Sequence, residues 1–413
     1  MNNIFKIILT SLSSFLLAII ILSCEELLPT APDSNEILNE PIDGLSASQL
    51  AAHLQGDEQF GKIFGVEDGL GPVFVNTGCE NCHIADGKGH PFIQLKRFGK
   101  MNLNGTFDPM IEYGGPQLQQ RSVSGYSPEE IPVEATGVTI LMPPSVTGLG
   151  LLAAVADASI LSLADPDDAN SDGISGVPNY VFPPEYFQPL SGFHIENNGK
   201  YIGRFGRKGG AITLLQQIVE AYHNDIGITT DFLPDDLYNP SVGPGSGDIV
   251  PDPELSASIV SNVEFYIRTL KPPPRRNEND PDVKAGELIF NQINCSGCHV
   301  STLLSGPSEI EALNQKEFHP YSDLLMHDMG SELDDYYTEG IAQTNEWRTT
   351  PLWGLGLAPN SQGQKSFFLH DGRAKTIEEA IGFHGGEASQ SKSNFINLSE
   401  SDKQKLLKFL QSL

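Results

Sequence analysis

Two short stretches carry residue types whose spacing fits metal or redox chemistry. "GCENCHIADGKG" sets Cys79, Cys82 and His83 in a Cys-x-x-Cys-His pattern, and "NCSGCHV" repeats it with Cys295, Cys298 and His299. Paired cysteines serve structural zinc, redox dithiols or covalent haem. Zinc-binding pairs usually lie within about 15–20 residues of each other. Here more than two hundred residues separate the pairs, and neither zinc nor a dithiol requires the adjacent histidine. Haem uses all three residues: two thiols add to two vinyl groups, and the next imidazole reaches the iron from the same side. The pattern therefore points to two covalently bound haem c groups, with His83 and His299 as the proximal iron ligands.

The flanks of the two motifs repeat as well. Phe74 and Phe290 each stand five residues before the first cysteine of a motif, and each half closes on an amphipathic segment. These are "LSASIVSNVEFYIRTL" (255–270) and "LSESDKQKLLKFLQSL" (398–413). In the second, Ser399 is a candidate N-cap with Asp402 three residues on, and Leu406, Phe409, Leu410 and Leu413 share one helical face. "LKPPPRRNENDPD" between the halves reads as a helix stop and a linker. The expected fold is mainly all-α, with two tandem cytochrome c-like domains over 46–270 and 271–413, the first bearing a large loop-rich insertion. That insertion contains "DPDDANSDGISG", where Asp168, Asn170, Asp172 and Gly173 fit the opening of a calcium loop. Asn179 stands at the twelfth position in place of the usual glutamate, so a Ca2+ site and an ordinary Asp-Gly turn both stay open.

The fifth cysteine, Cys24, follows Lys6, an apolar run over Ile7–Leu22, and Ser23, the layout of an export signal. "ILSC" resembles the lipobox of bacterial lipoproteins, in which the chain is cut before the cysteine and the cysteine carries the lipid. The sixteen apolar-run residues are short for a membrane span. The expectation is a lipoprotein signal peptide over 1–23 and an acidic flexible tether over 24–45. The protein would then sit at the cell envelope, periplasm-facing or on the outer membrane, meeting the membrane through the Cys24 lipid only. A formal charge of −28 argues against nucleic acid and anionic membrane surfaces as partners and suits a basic redox donor protein.

These motifs, with "LMPPSVTGLGLLAAV", "DPDDANSDGISGVPN", "GRFGRKGGAITLLQQIVEAYHNDIGIT", "PYSDLLMHDMG", "WRTTPLWGLG" and "FFLHDGRAKTIEEAIGFHGGEA", resemble the bacterial di-haem oxidoreductase family. Its members carry peroxidase and thiol-oxidoreductase labels. The chain is more distantly similar to di-haem cytochrome c peroxidases and the methylamine-dehydrogenase maturation enzyme. The resemblance covers nearly all of the mature chain. It implies two c-type haems in all-α folds, with electrons passed between them and delivered to hydrogen peroxide. No cysteine outside the haem motifs and Cys24 is left for a thiol mechanism.

The resemblance also implies roles for particular residues. His384 of "GFHGG" takes the position of the second haem's distal ligand, where the peroxidases often carry methionine; a histidine there lowers the potential. His327 and Met329 are rivals for that position. For the first haem, the peroxidases' distal glutamate aligns near Gly227 and their proline near Ala221. Glu220, His223, Asp225 and His90 are then the candidates for a distal ligand or acid–base group. Trp347 and Trp353 are candidate electron bridges, and Thr349 and Pro351 match carbonyl ligands of an interdomain calcium. His370, Asp371 and Arg373 match residues beside the haem rather than iron ligands. Two functions follow: a di-haem peroxidase-like oxidoreductase with one open iron, or a non-catalytic electron-transfer lipoprotein with both irons six-coordinate.

Overall fold

The computed structural model describes residues 38–237 and 248–413; the export-type segment, Cys24 and most of the tether lie outside the described residues. In chain order the helices are α1 (Ala47–Phe60), α2 (Leu149–Ala153), α3 (Asp157–Leu161), α4 (Leu214–Ala221) and α5 (Ala257–Thr269). There follow α6 (Pro281–Gln292), α7 (Ala358–Ser361), α8 (Ile377–Gly382), α9 (Ser389–Ile396) and α10 (Glu400–Ser412). Among the described residues no helix is long and apolar enough to cross a membrane.

Two helix pairs frame the two motifs in the same way. Helix α1 starts at Ser46, whose hydroxyl accepts from the Gln49 amide while the Gln49 side chain accepts from the Ser46 amide, a capping box. It crosses α5 at Gly56, where a Cβ would collide with the Asn262 carbonyl and Tyr266. Phe60, one turn on, packs 5.4 Å from the Tyr266 ring and 6.2 Å from His83. Helix α6 begins with Asp280 as N-cap and Pro281 at its first position, where the missing N–H costs nothing. It crosses α10 at Gly286, where a Cβ would strike the Lys405 carbonyl and Phe409. Phe290 then lies 5.3 Å from Phe409 and 6.4 Å from His299. The repeated element is thus Gly-x-x-x-Phe, in "GDEQF" and "GELIF", and the partner of Phe290 is Phe60. Phe74 lies in a strand instead. Helix α10 matches its sequence pattern: Ser399 caps it by accepting from the Asp402 amide, and Leu406, Phe409, Leu410 and Leu413 are buried. Gly286→Val is expected to lower unfolding stability by about 1–3 kcal/mol through overpacking, read by urea titration of the haem-loaded protein. An unchanged midpoint would mean the two helices can part without cost.

The all-α expectation is overturned. Helix accounts for 33 % and strand for 13 % of the chain, and the strands form five small sheets among the described residues. The largest sets β2 (Leu95–Met101) between β3 (Phe107–Asp108) and β5 (Gly137–Leu141). The others pair β1 (Val73–Phe74) with β4 (Arg121–Ser122), β6 (Asn179–Val181) with β7 (Tyr201–Gly203), and β8 (Leu303–Leu304) with β9 (Glu317–Phe318). Finally β10 (Met326–Asp328) pairs with β11 (Glu346–Arg348). The physical reason is that the long helices are the ones framing each motif, whereas much of the connecting chain is short strand and turn. The connecting segments alternate: "GVTIL" of β5 is buried and exposed by turns, the period of a half-buried strand, and pairs antiparallel with β2 from Leu95↔Leu141 to Gly99↔Gly137.

The main core joins Phe60, Leu152, Ile202, Val219 and Tyr266 to Leu313 and Leu325. A second core gathers Val283, Phe290, Tyr321, Phe395, Leu406 and Phe409 around the other motif.

Candidate functional site: two Cys-x-x-Cys-His cavities with a common wall

Each motif is wound into a tight turn that turns its functional groups to one side. The amides of Cys82 and His83 donate to the Cys79 carbonyl at 3.0 and 2.9 Å, and the His299 amide donates to the Cys295 carbonyl at 3.0 Å. Both imidazoles are then oriented by a backbone carbonyl: His83 Nδ1 lies 2.7 Å from Pro144 O, and His299 Nδ1 lies 2.9 Å from Tyr321 O. A carbonyl only accepts, so Nδ1 carries the proton and Nε2 keeps its lone pair for a metal. Burial holds both rings neutral by pushing their pKa values down to about 4. Burial also pushes the Cys79 and Cys295 thiols up to about 12 and Cys82 up to about 11. Thiols held protonated are poor redox nucleophiles and poor zinc ligands, whereas a thioether needs no charge.

The first cavity, of about 820 Å³, is lined by Cys79, Cys82 and His83, with Arg97, Glu220, Asp225, Tyr337 and Glu339 among its polar groups. His83 is its one histidine. Arg97 pairs with Glu339. Asp225 and Glu220 come from α4 and the π-helical turn that extends it over Tyr222–Ile226, a bulge type frequent at functional sites. Burial raises the pKa of both carboxyls, Asp225 to about 7, with Arg97 opposing and Glu220 adding to the Asp225 shift. Gly227 closes the turn at φ +74°, and a Cβ there would crowd Val73 O and Gly71, so the place that aligns with the peroxidases' glutamate admits no side chain. Two of the four first-site candidates point elsewhere. His223 Nε2 meets the Asp235 carbonyl at 2.9 Å. His90 accepts from the Phe92 amide and packs 4.7 Å from Phe367. Neither lines this cavity.

The second cavity, of about 220 Å³, brings His384 onto the same lining as His299. His384 ends the turn after α8, and its Nδ1 lies 2.8 Å from the Ala380 carbonyl, leaving Nε2 as the free nitrogen. Its segment is held by Glu387, which accepts from Ser175 N (3.0 Å), Ser175 Oγ (3.1 Å), Asp328 N (3.2 Å) and His327 Nδ1 (2.7 Å). His327 donates its other nitrogen to Asp323 at 2.8 Å. Burial opposes its charge, but Asp323, Cys298 and Glu387 outweigh burial and lift its pKa to about 12. With both nitrogens engaged, His327 is a fastener rather than a ligand. Met329 also lines the cavity and packs with Leu141, Leu333 and Trp347.

The remaining candidates separate. Trp347 lines the second cavity, stacked on His370 at 3.8 Å with its Nε1 donating to Leu333 O at 2.8 Å, while Trp353 lines the first. Asp371 and Arg373 pair with each other at 2.7 Å outside both linings. In the Asp-Gly loop, Asp168 accepts from the Gly173 amide and Asp172 from the Ile174 amide, and Asn170 accepts from the Asp172 amide. Asn179, in β6, donates to the Lys208 and Glu339 carbonyls. The Thr349 carbonyl takes donors from Ser322 and Arg348. Among the described residues no group of three or more His, Cys, Asp or Glu side chains converges as a metal-ion site.

Lys88, Arg207, Arg348, Thr350 and Pro351 line both cavities and so form their common wall. Sequence reasoning missed these cations and Glu387. It also missed Gly56, Phe60 and Gly286, which the repeated Gly-x-x-x-Phe could have revealed.

In each site, two thiols and an imidazole with free Nε2 line a cavity, and such a set fits a haem in each. The arrangement is that of a two-centre haem protein. The chain belongs to the di-haem oxidoreductase family: residues 28–103 and 134–413 match the family described as "Di-haem oxidoreductase, putative peroxidase". A chain of hydrazine synthase from Kuenenia stuttgartiensis, solved under xenon pressure, is similar at a TM-score of 0.36 and 11% identity, over 94% of this chain and 98% of that one. So weak a likeness carries no argument. No curated protein gives a significant match.

Proposed function

We propose that the protein is a di-haem c-type oxidoreductase of the cell envelope that reduces hydrogen peroxide at its first centre, with electrons supplied through its second. Cys79 and Cys82, and Cys295 and Cys298, attach the haems, and a lipid on Cys24 holds the chain to the membrane. The observation that carries this is the unequal histidine supply: His83 alone in the first cavity, His299 and His384 together in the second. A haem iron with one protein ligand is free to take peroxide, whereas one held on both faces relays electrons. Reducing one peroxide to two waters consumes two electrons and two protons. On the protein side, Asp225 accepts and returns a proton in the first cavity, with Glu220 beside it, and the Arg97–Glu339 pair holds the polar face of that cavity in place. The electrons come from a donor with a basic surface, which the charge of −28 would attract.

A non-catalytic electron carrier is the second reading, favoured by Gly227 where the peroxidases align their glutamate. Optical and EPR spectra of the haem-loaded protein test both. One high-spin and one low-spin haem are expected, with peroxide altering only the high-spin signals. Two low-spin haems in every redox state, indifferent to peroxide, would leave the electron carrier as the function.

A further inference from the structure

We propose that Lys88, Arg207 and Arg348 form one cationic seat that binds propionate carboxylates of both haems, so that the two centres share a single electrostatic environment. The inference rests on the two-haem reading but not on peroxide chemistry. All three side chains line both cavities. Arg207 and Arg348 are tied together, since the Arg348 amide donates to the Arg207 carbonyl at 3.1 Å and Arg348 Nε donates to Gly206 O at 3.0 Å.

Among the described residues none of the three makes a direct ion pair; the carboxylates that act on them, Asp371 on Arg207 and Asp323 on Arg348, do so without contact. Arg207 Nη2 donates to the Met142 carbonyl at 2.8 Å, while its buried Nε has no partner. Arg348 meets only carbonyls through its guanidinium. Lys88 Nζ lies over the Phe368 ring at 5.3 Å. Other buried cations nearby are neutralised: Arg97 by Glu339, Arg204 by Asp157, and Lys208 by Asp335 at 3.5 Å. Cations clustered in the wall between two cavities without an ion-pair partner are costly. Burial lowers the pKa of Lys88 to about 7 and of both arginines to about 10; Arg207 adds to the Lys88 shift, Arg348 adds to and Asp371 opposes that of Arg207, and Asp323 opposes that of Arg348. Carboxylates arriving in both cavities supply the missing ion-pair partners, and guanidinium groups match them bidentately.

The test is a spectroelectrochemical titration of the haem-loaded protein, wild type against Arg207→Gln and Arg348→Gln. Removing a positive charge favours the oxidised iron. Each variant is therefore expected to move both midpoint potentials negative, by about tenfold in the reduction equilibrium, or about 59 mV for one electron. Arg348→Lys should keep most of the wild-type value. If each variant moves one haem alone, or neither, the shared seat is overturned. Should one arginine variant fail to load haem, the other and Lys88→Gln carry the same comparison. Acetate added to the wild type is expected to change nothing, because the seat is filled from within. A saturable shift abolished by Arg348→Gln would place an outside carboxylate there and overturn the assignment. Failure of the two-haem reading is distinct, since a haem count then falls below two per chain.

Discussion

His384→Ala is expected to convert the second haem from low-spin to high-spin almost completely, with the first haem's signals unchanged. The ring is turned toward the cavity by its bond to Ala380 O, and its segment is fastened by the four donors to Glu387. No other histidine of the second lining is placed to substitute. His327 has both nitrogens engaged, and His370 lies flat against Trp347. Added imidazole should restore the low-spin spectrum by entering the space the side chain leaves. A variant spectrum identical to wild type would remove His384 from the ligand set and pass the role to Met329, which lines the same cavity.

Asp225→Asn is expected to lower peroxide turnover by about 10²–10⁴-fold, the usual contribution of a positioned acid–base group, while both haems load normally. The change keeps size and shape and removes only the ability to exchange a proton. A pH profile separates this from mere damage. Burial, resisted by Arg97 and reinforced by Glu220, lifts the Asp225 pKa to about 7. The group therefore keeps its proton below about pH 7 and becomes the accepting carboxylate above it. Wild-type turnover should rise with pH through about 7, and the variant should lack that limb. The same shift has a stability consequence of fixed sign. A carboxyl whose pKa is raised by folding destabilises the native state progressively as pH climbs from the ordinary carboxylate range to about 7. The variant should thus gain stability relative to wild type over that window, read by urea unfolding at pH 4 and pH 8. Equal losses of turnover at all pH values, with no relative gain in stability, would assign Asp225 a structural role.

Some of the site was legible in the residues themselves, for reasons that are local. A Cys-x-x-Cys-His turn acts within five residues, so its chemistry survives any surrounding fold. Helix α10 was legible because a cap and an apolar stripe are properties of one segment. The choice among Glu220, His223 and Asp225 was not, since these lie within six residues of one another. The π-helical turn and its glycine end decide that Asp225 faces the cavity and His223 the Asp235 carbonyl. The all-α expectation failed for a related reason: β2 finds β5 some forty residues away, and pairings over such separations leave only a weak alternating trace in either strand.

The sequence by itself determined that this chain carries two thiol–imidazole motifs and that each half closes on an amphipathic helix. Only the tertiary structure decided where helix pairs cross at Gly56 and Gly286, brought the expected His384 onto one lining with His299, put Glu220 and Asp225 on one lining with His83, and set three cations on both linings. Those groups come from segments up to hundreds of residues apart. Their shared burial and orientation are set by packing and backbone hydrogen bonds, which no local pattern of residues encodes.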